Sequence, residues 1–133
     1  MTAHSELKTS LYSKLTSTST WKTNIGGRVY YIRALQNAAM PYCVFSFYAD
    51  THSYDSGNNW EEIYIQFSIF DNNSGSTNIS TLESNLIDLL NNVVLTFTNY
   101  TQISFKRLSK RYLMDEDNVW QTILEYRIEL EHN

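Results

Sequence analysis

The sequence predicts an α+β fold: a mostly antiparallel sheet with two helices packed on one face, in the order α-β-β-β-α-β-β. Three observations carry that expectation. Residues 61–70 alternate, with Ile63, Ile65, Phe67 and Ile69 on one side and Glu62, Tyr64, Gln66 and Ser68 on the other, as in a sheet buried on one face. Residues 119–131 do the same, with Trp120, Thr122, Leu124, Tyr126, Ile128 and Leu130 on one side. Two other stretches repeat apolar residues at helical spacing, and two amphipathic helices can cover one face of such a sheet.

The elements follow in order. Leu7, Leu11 and Leu15 recur every fourth residue and predict a helix over 5–15. Ser17 to Thr20 is a loop of Ser and Thr, and Gly26-Gly27 is a breaker before the next element. Residues 28–34 are aromatic and β-branched, a first strand. Pro41 stands where a strand tolerates it, at the entrance to a second strand over 42–49. That strand places Cys43, Phe45, Phe47 and Ala49 on one face and Tyr42, Val44, Ser46 and Tyr48 on the other. Polar loops are expected over 50–59 and 71–78, flanking the third strand. Ser80-Thr-Leu-Glu83 fits a capping box, with Ser80 as the N-cap. The helix it opens carries Leu82, Leu86, Leu89, Leu90 and Val93 on one face. A final hairpin is expected over 102–113 and 119–131, turning at the acidic Met114-Asp-Glu-Asp-Asn118. Ile103 and Phe105 are out of phase with Leu108, which predicts a bulge.

A chain of 133 residues suits one domain over 1–133. Apolar residues reach 42% and aromatics 14%, enough to build a core. Charged residues are only 18%, so Ser, Thr and Asn supply much of the polar surface. The net charge of −4 argues against gripping a nucleic-acid backbone. Charge is uneven: residues 1–60 hold five basic and three acidic side chains, and the remainder five and eleven. One cysteine, Cys43, makes no internal disulfide. The first twenty residues contain no apolar run of a signal peptide, and no window matches a membrane span. A reducing cytosol is the expected site of synthesis.

No catalytic motif is present. There is no phosphate-binding glycine loop and no nucleophile elbow. His4, His52 and His132 have no zinc-ligand spacing. Asp50, His52 and Asp55 share a polar loop whose composition alone accounts for them, and Cys43 reads as a buried, inert thiol. Glu61 and Glu62 are adjacent in a strand, point to opposite faces, and cannot act together as an acid–base pair. Nothing calls for a cofactor or a metal.

What remains are contact surfaces. Tyr and Trp are enriched where a surface is buried against a partner. Tyr48, Tyr54 and Trp60, with Asp50 and His52 between them, form one candidate interface. Lys106, Arg107, Lys110 and Arg111 form the only basic cluster; in an unbulged strand Lys106 and Lys110 share one face. Lys106, Lys110 and Arg111 enter the second candidate interface with Asp115, Glu116 and Asp117 of the neighbouring turn. A solvated edge strand, a small phosphate contact, and a salt bridge to that turn, or to Glu125 and Glu129, in a neighbouring copy are the readings of this cluster, the first being favoured over the second.

Several stretches resemble the phage tail-terminator family, also called tail-completion proteins. They are Arg28-Val-Tyr30 with the Pro41-Tyr42 strand entrance, and Tyr64-Ile-Gln-Phe-Ser-Ile-Phe70 followed by Asn72-Asn73-Ser74 and the helix from Ser80 to Leu90. Asp117-Asn-Val-Trp120 leading into Leu124-Glu-Tyr-Arg-Ile-Glu-Leu130 completes the likeness, which spans about residues 6–131. The fourth strand is more basic than that pattern. The resemblance implies a virion protein, assembled in the host cytoplasm, that forms a homo-oligomeric ring, commonly a hexamer, at the head-proximal end of the tail. Its implied partners are itself, the tail-tube protein and a head-completion or neck protein, with DNA passing through the lumen unbound. A head-closure subunit is the near alternative. A small-molecule-binding α+β domain or enzyme, using Asp50, His52 and Asp55, is the alternative of another class, and a stoichiometric bound metal would mark it.

Overall fold

The computed structural model of the chain describes residues 3–55, 58–115 and 117–133. Its elements are α1 (Ala3–Leu15), α2 (Thr20–Ile25), β1 (Val29–Tyr31), β2 (Tyr42–Asp55), β3 (Asn58–Asp71), α3 (Thr77–Leu90), β4 (Tyr100–Met114) and β5 (Trp120–His132). The five strands form one sheet in the order β1-β2-β3-β5-β4. Only β1 runs parallel to its neighbour; β2–β3, β3–β5 and β5–β4 are antiparallel.

The core lies on one face. Period-2 alternation turns Phe45, Ile63, Ile65, Phe67, Ile69, Leu124, Ile128 and Leu130 inward, and each retains no accessible surface. All three helices close over this inner face. Leu7, Leu11 and Leu15 of α1 are fully buried, as the four-residue spacing requires, and Ile79, Leu82, Leu86 and Leu90 do the same for α3. Cys43 is buried at the same level, and burial pushes its thiol far above the ordinary value.

Where the elements differ from the sequence expectation, identifiable contacts decide. The loop expected at Ser17–Thr20 ends in a third helix, α2. Ser19 caps it, its hydroxyl accepting from the Lys22 amide at 3.1 Å, and Trp21 and Ile25 anchor it in the core. Gly26 ends it at φ +70°; a Cβ there would come within 2.5 Å of the Arg28 guanidinium. The strand expected over 28–34 shrinks to three residues, because Ile32 takes φ +71° and turns the chain away.

The loop expected over 50–59 is in its described part strand. β2 and β3 continue into one long hairpin, with Thr51 opposite Glu62 and His52 opposite Glu61. A bulge between Phe47 and Ala49 corrects the face assigned to Ala49. Tyr48 and Ala49 both go to the outer face, and Asp50 and His52 turn inward.

The capping box is also corrected. α3 is preceded by Ser76, and Ser80 lies one turn inside, its amide donating to the Ser76 carbonyl at 3.1 Å. Glu83 is instead a buried carboxylate at 5% exposure with two partners on β4. A tertiary ion pair beats a local cap here because Glu83 falls on the core stripe of the helix.

The expected bulge in the fourth strand is present, and there are two: β4 shifts register between Gln102 and Ser104 and again between Arg107 and Ser109.

Candidate functional site

The outer face of the sheet and its two lateral edges are the surfaces that the three helices leave open. One edge is β1, three residues long. The other is β4, fifteen residues long and exposed at every position from Lys106 to Met114. A long bare edge is a template for pairing, and charges and bulges are the usual guards against random pairing. β4 has both. Its bulges leave Ile103 and Leu108 outside the ladder at 43% and 47% exposure, and Leu113 and Met114 follow at 46% and 47%.

The bulge at Leu108 changes the faces of the basic cluster. Lys106 and Lys110 do not share a face. Lys106 is opposite Arg127 and Arg111 is opposite Ile123, both on the outer side, whereas Arg107 and Lys110 are opposite Tyr126 and Leu124 on the inner side. Lys110 Nζ lies 2.8 Å from Glu83 of α3, and the Tyr112 hydroxyl donates to the same carboxylate. The hydrogen bond and charge of Glu83 raise the pKa of both Lys110 and Tyr112. Glu83 thus clamps the far half of β4 to α3. Arg111 lies 3.8 Å from Glu125 of its own chain, with both side chains open to water, so the pair is weak. Ser109 also donates to Glu125, at 3.1 Å.

The β4–β5 turn is closed by Asp115, whose Oδ1 accepts from the amides of Asp117 and Val119, both at 2.9 Å. Asn118 completes it at φ +61°. Asp115 and Asp117 are exposed and form no ion pair among the described residues. Glu116 lies outside the described residues.

Of the hairpin candidates, Trp60 lies at the opposite end of the sheet, facing Glu131, while Met114 and Asp71 both face Trp120 at the turn end. Tyr48 is half exposed, with its ring 5.8 Å from Tyr64 and its hydroxyl 3.4 Å from Glu125. Burial first, and Glu125 second, raise its pKa. Asp50 pairs with His4 of α1 at 3.1 Å, and His52 with Glu61 at 3.7 Å. Burial and then Asp50 raise the pKa of Glu61, with His52 and His4 acting against them. Glu61 and Glu62 do point to opposite faces, Glu62 accepting from Tyr64 at 3.3 Å. The side chain of Tyr54, like that of Asp55, lies outside the described residues. No group of His, Cys, Asp and Glu among the described residues is arranged to hold a metal. No helix among them is long and apolar enough to cross a membrane.

The candidate residues therefore spread along the sheet: Trp60 and His52 lie toward one end and Asp115 and Asp117 at the other, while Tyr48 and Arg111 both reach Glu125 in the middle of the outer face. Two features escaped sequence reasoning. Past Ile32 the chain borders the outer face, where Ile32, Arg33, Tyr42, Val44, Phe70 and Gln121 line a depression of about 350 Å³. The second is Glu6, which latches α1 to the segment before β4. Its carboxylate accepts from the Thr98 amide at 2.6 Å and from the Asn99 amide and side chain, both at 3.1 Å. Burial acts to raise its pKa, but the Asn99 and Thr98 amides outweigh burial and hold it below the usual carboxylate range. An acidic residue in the first turn of an amphipathic helix was the only local signal for it, and it does not identify the partner.

A family model described as tail completion protein gp17 matches residues 9–131. Among solved structures, a chain of one titled "Virion of native gene transfer agent (GTA) particle" superposes with a TM-score of 0.82. It is 15% identical, and the match covers 96% of this chain and 96% of that one. At that identity the likeness shows the fold alone. The comparison with curated proteins returned no match.

Proposed function

This chain belongs to the tail completion protein gp17 family, and on that premise we propose that it is a virion structural subunit that closes the head-proximal end of a phage tail. Copies assemble into a ring, most simply a hexamer, which stops growth of the tail tube and offers the surface that joins the head. The observation that carries this reading is the family match across nearly the whole described fold. Its work is done by contact, without catalysis.

The surfaces fit such a subunit. A closed ring needs two different, mutually complementary patches on each copy, and the sheet has two unlike edges. With the edges given to neighbouring copies, the two strand ends are left for the tail-tube protein and for the head-completion protein. Asp50, His52, Tyr54 and Trp60 serve one of these ends, and Tyr48 extends that surface onto the outer face. Lys106, Lys110 and Arg111 lie along the β4 edge given to a neighbouring copy, with Asp115 and Asp117 at its end. DNA passes through the lumen, and a net charge of −4 keeps it from being held there.

A phage lacking this gene tests the proposal. The expected outcome is tails of abnormal length and filled heads without tails, both cured by supplying the protein. Normal infectious particles made without it reject the reading.

A further inference from the structure

Resting on the ring reading, we propose that the contact between adjacent copies seats the β4–β5 tip of one subunit in the Arg33 depression of the next. Both patches lie on one rung of the sheet. Tyr42 of β2 is opposite Phe70 of β3, Phe70 is opposite Gln121 of β5, and Gln121 is opposite Leu113 of β4. Tyr42, Phe70 and Gln121 line the depression; Leu113 projects at the other end of the same rung, 46% exposed. The depression opens on the outer face over β2 and β3, and Leu113 stands on the β4 edge at the same height. Complementary patches at one height relate copies by a rotation with little rise, which a closed ring requires.

The chemistry of the two patches also matches. The depression is lined in part by apolar side chains, among them Ile32, Val44 and Phe70, and in part by polar ones, among them Ser46, Gln66 and Arg33. Arg33 is exposed and forms no ion pair among the described residues. The tip brings Leu113, an apolar side chain of fitting kind, and the carboxylates of Asp115 and Asp117, exposed and likewise without an ion pair among the described residues. Leu113 packs on the apolar part of the depression, and the two carboxylates meet the guanidinium. The occupant is thus a second copy of this chain. A guanidinium and a carboxylate that meet on leaving water form a charge-assisted contact that also fixes register.

Two experiments in assembled particles test this. The first is a phage carrying the double variant Ile32→Cys and Leu113→Cys, mildly oxidised. Both positions are exposed, at 63% and 46%, and the native Cys43 is fully buried and does not compete. A ladder of disulfide-linked multimers is expected on a non-reducing gel, and neither single variant gives more than a dimer. The second is charge exchange. Arg33→Glu is expected to lower the yield of joined particles at least tenfold without changing the melting temperature of the isolated protein, and Arg33→Glu with Asp117→Arg to restore it. Absence of the ladder, with full joining by Arg33→Glu particles that still carry a ring at the tail end, overturns this contact and leaves the ring reading in place. Wild-type particles with no ring of this protein at the tail end overturn both.

Discussion

On the inner face of the sheet, Phe45, Ile63, Ile65, Phe67 and Ile69 retain no accessible surface beneath the three helices. On the outer face Tyr42, Val44, Gln66 and Phe70, drawn from the same two strands, stay partly open. The strands are shared, so the backbone geometry is the same for both sets; the side chains and their cover differ. The inner face is satisfied by the chain's own helices, with aromatic pairs such as Phe67 against Tyr126 at 5.5 Å. The outer face is mixed: Tyr42 stacks on Phe70 at 5.0 Å, and Ile123 is buried, yet no helix lies over them. The proposed assembly contacts and the stability of the fold are therefore separable, the second written on one side of the sheet and the first assigned to the other side and the edges.

The largest test of that separation compares two phenylalanines on one strand. Phe67→Ala removes a fully buried ring from the core and is expected to cost about 3–5 kcal/mol in urea unfolding. Phe70→Ala, on the partly open outer face, is expected to cost about 1 kcal/mol or less. Equal costs break the comparison.

Acid comes next, because the Glu6 latch ties the inner layer to the segment before β4. A carboxyl held below its unfolded value contributes stability that is fully present above the unfolded value, near 4.5, and is lost as pH falls through the folded one. The melting temperature is therefore expected to drop below about pH 4.5, and to drop less steeply in Glu6→Gln, which is already less stable at pH 7. An identical pH profile for the two proteins removes Glu6 from the account.

A smaller effect is expected at the clamp on β4. Tyr112→Phe deletes one hydrogen bond to the buried Glu83, about 1 kcal/mol. Hydrogen exchange in the far half of β4 is expected to quicken while the β3 amides stay protected.

The smallest effect on stability sharpens the comparison most. Leu113→Lys, at an exposed edge position, is expected to shift unfolding by no more than about 0.5 kcal/mol and still to lower the yield of joined particles.

The inner face was legible in the sequence because alternation and helical spacing are local, periodic signals. Ile63 to Ile69, Trp120 to Leu130 and the three leucines of α1 needed no knowledge of neighbours. The slip between Ile103, Phe105 and Leu108 likewise announced a bulge. The candidate interface residues were legible as types but not as places. The face shared by Lys106 and Lys110 depends on an unbulged strand, and the expected bulge, found at Leu108, separates them; the 50–59 segment reads as a loop because its polar residues hide a hairpin held by pairing across to β3. The capping box at Ser80 was a valid local pattern that lost to Glu83's distant partners. Arg33 carried no signal, since the depression it rims is made by strands far apart in the chain.

By itself the sequence determined the class of fold, which strand faces are buried, and the absence of any known catalytic motif. Those follow from side-chain periodicity, a property of a few consecutive residues. The tertiary structure alone decided the strand order, the parallel pairing of β1, the two unlike edges, and the rung that joins Tyr42 to Leu113. Those depend on contacts between residues dozens of positions apart, whose energies no local pattern encodes.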